Sequence, residues 1–135
     1  MEFSIKIVSP EEQRSACIII GVFETRKLSP AAKQLDAAAN QHLSKIIRRG
    51  DMDGKAGSTL LLHDVPATRC ERILLVGLGK EREFHERAYR SAIRSAIKAV
   101  NETGAADATL FLSEITVGKH SLSWRVRQAA IVAHE

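Results

Sequence analysis

Gly77-Leu78-Gly79-Lys80 has the residue types needed to hold an anion. Glycines let backbone N–H groups approach a phosphate closely, and a lysine supplies the charge. The pattern stops short of both nucleotide-binding signatures. A dinucleotide fingerprint needs a third glycine where Arg82 stands, and a Walker loop needs a longer spacing followed by Lys-Ser or Lys-Thr. A plain tight turn is the competing reading.

Asp51-Met52-Asp53-Gly54 resembles the start of a calcium loop, but it lacks the third ligand pair and the closing glutamate, so an acidic turn is expected. His42, His63, His85, His120 and His134 contain no HExxH and no close helical pair, which leaves them as surface or capping residues rather than zinc ligands. No serine, histidine and acid arrangement is identifiable from spacing. Cys17 and Cys70 lie in or beside apolar strand sequence and form no CxxC, so buried reduced thiols are expected.

The remaining chemical resource is positive charge: the formal net charge is +4 and the pI about 9.3. Arg87, Arg90, Arg94 and Lys98 recur at helical spacing on one stripe, Arg48 and Arg49 end a shorter helix, and Arg125 and Arg127 form a third group. These eight residues are the candidate contacts to a phosphate-bearing partner. A solvated helix face is the competing reading, because Glu83 with Arg87 and Glu86 with Arg90 are spaced as i,i+4 ion pairs. Only 4% of the residues are aromatic, which argues against a surface that stacks single-stranded bases.

The elements that must position these residues read as an α/β domain. Phe3 to Val8 alternates as a half-exposed strand, whereas Ala16 to Phe23 and Ile73 to Val76 are unbroken apolar runs, as in strands covered on both faces. Further strands are expected near Thr59 to His63 and over Asp107 to Leu112. Ser29-Pro30 caps a helix running to Ala39, Asn40 breaks it, and His42 to Arg49 forms a second helix ended by Gly50. A long amphipathic helix is expected from Glu83 to Thr103, with Gly77-Leu78-Gly79 turning the chain before it. A last helix begins near Ser123 and has no stop signal, so the chain is expected to continue in a longer polypeptide. A length of 135 residues with 44% hydrophobic content suits one domain, residues 1–135, with a real core. No apolar run approaches the roughly 20 residues that cross a bilayer and no signal peptide is evident, so no membrane contact and a cytoplasmic location are expected.

Four blocks carry a family resemblance: the opening MEFSIKIVSPEEQRSACIIIGVFE, GKAGSTLLLH from Gly54, ERILLVGLGKERE from Glu71, and WRVRQAA from Trp124. Together they closely resemble the amino-terminal domain of bacterial leucyl aminopeptidases (cytosol aminopeptidase, aminopeptidase A). The resemblance implies a three-layer, macro-domain-like fold with a central mixed β-sheet flanked by helices. It implies an inactive fragment of an active parent, whose two divalent metal ions (manganese or zinc) and peptide hydrolysis belong to a carboxy-terminal domain without counterpart here. The implied partners are that catalytic domain, further copies in a homo-hexamer, and duplex DNA, which some bacterial members bind. The alternative is a free-standing macro-like module binding DNA or a nucleotide such as ADP-ribose.

Overall fold

A computed structural model describes residues 2–5 and 9–135. The strands are β1 (Glu2–Ile5), β2 (Ile18–Phe23), β3 (Lys27–Leu28), β4 (Thr59–His63), β5 (Arg72–Gly79) and β6 (Asp107–Leu110). The helices are α1 (Pro30–Ala38), α2 (His42–Arg48), α3 (Glu86–Asn101) and α4 (Leu122–Ala133). Strand order is β1-β6-β2-β5-β4, with β1, β6, β2 and β5 parallel and β4 antiparallel at the edge. The short β3 pairs antiparallel with the end of β2. The expected mixed sheet is therefore present. Of the strand expected over Phe3 to Val8, Lys6 to Val8 lie outside the described residues.

β2 is buried throughout and lies between β5 and β6. Its side chains alternate between two cores. Ile18, Ile20 and Val22 join α1 and α2 residues such as Leu35, Leu43 and Ile47 on one face. Ile19 and Phe23 join Tyr89, Ile93, Ala129 and Val132 of α3 and α4 on the other. That is the physical reason for the unbroken apolar run: neither face of the strand meets water.

Helix boundaries follow local chemistry. The Ser29 hydroxyl accepts from the Ala32 amide at the start of α1, and Asn40 and Gln41 both take positive φ between α1 and α2. Asp36 then ties the two helices together by accepting from the amide and hydroxyl of Ser44.

Two expectations are corrected after β5. The strand does not turn at Gly77 but runs through Gly79, because Gly77 pairs with Val22 and Gly79 with Phe23. The long helix begins at Glu86, not Glu83: a 3-10 turn over Glu81–Glu83 first delivers Phe84 to the core, where its ring meets Phe23 and Tyr89 edge-on at 5.5 and 6.2 Å. Local periodicity cannot register a plug residue that must enter the core before the helix starts. Smaller differences occur at β2, which starts at Ile18, and at β6, which ends at Leu110.

Candidate functional site

The parallel strands β2, β5 and β6 end on one rim, and the segments that follow them enclose a cleft of about 350 Å³. Buried Phe23, Phe84 and Ile115 contribute its apolar lining. Lys27, Lys33, Glu81 and His85, all exposed, also line it. Lys27 Nζ donates to both Glu81 oxygens at 2.9 and 3.0 Å, so β3 is fastened to the turn after β5. No motif announces this cleft. Its walls come from residues 23–33, 81–85 and 115–118, which only the crossing of β5-α3-β6 over β2 brings together.

Gly77, Gly79 and Lys80 are arranged differently from a phosphate cradle. The Gly77 amide donates to Ser58 O at 2.7 Å and the Gly79 amide to Gly54 O at 2.8 Å. Both donors are thus engaged by the 54–58 loop. The glycines serve close approach: a Cβ on Gly77 would lie 2.0 Å from Lys55 O. Lys80 is exposed just beyond the strand.

The eight basic residues divide between the two helical layers. Arg48 and Arg49, both exposed, end α2 on the face opposite α3 and α4. Arg87 and Lys98 of α3 and Arg127 of α4 are exposed. The other three have partners within the chain. Arg90 Nε donates to Gln128 Oε1 at 3.1 Å and its guanidinium lies 5.7 Å from the Trp124 ring centroid. Arg94 Nε pairs with Glu135 at 2.9 Å. Arg125 Nη1 donates to Ile115 O at 2.6 Å. The expected pairs Glu83–Arg87 and Glu86–Arg90 are not among the ion pairs formed by the described residues. Glu83 lies outside the helix, and Glu86 turns instead to His120 Nε2 at 2.7 Å. That hydrogen bond, the largest influence on it, holds the Glu86 carboxyl below its ordinary range.

Sequence reasoning missed the cluster around Trp124. The His120 ring stacks on the indole at 3.7 Å, and the Tyr89 ring lies 6.1 Å away with its hydroxyl donating to Arg125 O at 2.7 Å. Burial pushes the Tyr89 hydroxyl upward in pKa. These contacts seal the α3–α4 seam and anchor the segment after β6. The single tryptophan, at the start of a helix, was the available signal.

The other candidates fall into structural roles. Asp53 Oδ1 accepts from the Lys55 amide at 3.1 Å, as expected of an acidic turn. Cys17 and Cys70 are free and buried, as expected. Burial is the main cause of the rise in both thiol pKa values, and Cys17 is pushed up to about 11. Among the described residues no three His, Cys, Asp or Glu side chains converge to hold a metal ion. No helix among them is long and apolar enough to cross a membrane.

Residues 19–135 match the family model described as the cytosol aminopeptidase family, N-terminal domain. A "Probable cytosol aminopeptidase" of Dechloromonas aromatica (strain RCB) is 62% identical over 133 residues, 98% of this chain and 27% of that protein. The chain spans about a quarter of the length of the curated relatives it matches, 25–27% in three of them. Among solved structures, a tomato leucine aminopeptidase mutant is similar with TM-score 0.69 and 24% identity, covering 99% of this chain and 27% of that one. The macrodomain of Mycobacterium tuberculosis DarG is similar with TM-score 0.67 and 12% identity, covering 97% of this chain and 88% of that one. The two structural likenesses are likenesses of fold, and they agree with the macro-domain-like architecture that the family resemblance implies.

Proposed function

Because the chain belongs to the cytosol aminopeptidase family as its N-terminal domain, we propose that it is the non-catalytic part of a longer, metal-dependent leucyl aminopeptidase. The observation that carries this reading is the match in length: nearly all of this chain aligns with about a quarter of each relative. The parent removes amino-terminal residues from peptides in the cytoplasm, using two divalent ions, manganese or zinc, bound in a separate catalytic domain. That catalytic domain is this chain's first partner, and the parent assembles as a homo-hexamer.

The test is hydrolysis of a leucyl anilide. The longer gene product with manganese or zinc is expected to cleave it, and the 135-residue chain is expected to be inert under the same conditions. Turnover by the short chain would overturn the reading.

Within the parent, the domain supports assembly, limits access to the active sites or contacts duplex DNA. The net charge of +4 and the exposure of Arg48, Arg49, Arg87, Lys98 and Arg127 support the DNA role. Contacts of this type are to phosphates, so affinity falls steeply with salt. A mobility shift of the longer product on duplex DNA at low salt is expected, and its absence there would count against that role.

A further inference from the structure

We infer that the cleft at the carboxyl ends of β2, β5 and β6 is a binding site for a small organic anion, a carboxylate or phosphate ester carried on a flat apolar body.

In open α/β sheets, ligands bind beyond the carboxyl ends of the strands where successive crossovers part, because the following loops diverge there and leave a crevice. The crevice here lies beside β2, the strand that β5-α3-β6 steps across. Its volume of about 350 Å³ lies within the roughly 300–1,000 Å³ of small-molecule sites.

Phe23 and Phe84, 3% and 2% exposed and packed edge-to-face, provide an apolar wall that suits a ring or short aliphatic body. Around it stand two lysines and one carboxylate, a net excess of one positive charge, with His85 as a further nitrogen partner. Lys33 makes no ion pair with the described residues, so its ammonium is available to a ligand anion. Lys27 is held by Glu81 at 2.9 Å, which makes Glu81 an internal competitor for the same cation. A ligand anion shares Lys27 with Glu81 or displaces it.

The competition gives a test that a merely structural role would not pass. The 135-residue chain is titrated at low salt with phenyl phosphate, phenylacetate and the neutral 2-phenylethanol, followed by amide NMR shifts. Saturable shifts from at least one of the two anions are expected at Leu28, Lys33, His85, Thr116 and Gly118, with 2-phenylethanol binding much more weakly. Whichever anion binds more tightly identifies the headgroup as phosphate ester or carboxylate. Lys33→Gln should weaken binding about tenfold, near the value of one charge-assisted hydrogen bond. Glu81→Gln should tighten it by freeing Lys27. Both side chains are exposed, so both variants are expected to fold, and unchanged spectra elsewhere check this. Equal binding of the neutral alcohol, no saturation with either anion, or weaker binding by Glu81→Gln would overturn the inference.

Discussion

Gly77 lies so close to the backbone of Lys55 that a Cβ built on it would sit 2.0 Å from the Lys55 carbonyl oxygen and 2.2 Å from Ser58 Oγ. The glycine that reads in the sequence as a loop residue is instead where β5 and the 54–58 loop touch, joined by the hydrogen bond from the Gly77 amide to Ser58 O.

Replacing Gly77 with alanine is therefore expected to destabilise the chain by about 3 kcal/mol, because backbone blocks the new methyl and β5 cannot retreat from β2. Gly57→Ala is the comparison. A Cβ at Gly57 would meet nothing within 4 Å, but the φ of +86 there strains an L-residue, so a loss of about 1 kcal/mol is expected. Urea unfolding of both variants checks the order. A Gly77→Ala variant as stable as the parent chain would refute the close-approach account.

Arg125 reaches across from α4 to the Ile115 carbonyl at 2.6 Å, where the segment after β6 covers the core. Arg125→Ala should cost about 2 kcal/mol, the effect of removing a charged donor from a part-buried acceptor. Amide exchange should rise first over residues 113–120, the segment the guanidinium holds, rather than uniformly.

Glu86 gives an acid-side signature. Its folded pKa is lowered, chiefly by the hydrogen bond to His120, so just below the ordinary value of 4.5 the unfolded chain binds more protons at this site than the native one. The stabilisation is present above that value and is lost as pH falls through the depressed one. His120 stacks on Trp124, the single tryptophan, so emission reports the event. An acidic step in fluorescence is expected in the parent chain and should disappear in Glu86→Gln.

Cys17 gives the alkaline counterpart. Burial raises its thiol from an ordinary 9.0 to about 11, so between these values the native state retains a proton that the unfolded state has released. Stability should fall as pH rises through that window, by on the order of 2 kcal/mol in total. Cys17→Ala should show a shallower decline when unfolding midpoints are compared at about pH 8.5 and about pH 10.5, and equal slopes would contradict the assignment. The buried thiol should also react slowly with Ellman's reagent until the chain unfolds.

Strands and helices were legible wherever a residue's environment follows from its immediate neighbours. The unbroken apolar run at β2, the Ser29-Pro30 start of α1 and the amphipathic character of α3 all appear as expected. Expectation failed at Gly77 and Phe84, whose roles depend on a loop and a core residue distant in sequence. The arginine stripe was legible as a helix face, but not the turning of Arg90 and Arg94 toward α4, because helical spacing gives direction around one axis and says nothing of the neighbour met there.

The amino-acid sequence by itself determined the α/β class and the two-sided burial of β2 and β5, since periodicity, capping and apolar run length are local quantities, and the resemblance of its four blocks pointed to the family. The tertiary structure alone decided which charges are paired, which glycine amides are already bonded, and that Lys27, Lys33 and His85 line one cleft with Phe23 and Phe84. Those are relations between segments separated by tens of residues, fixed by how a parallel sheet orders its strands.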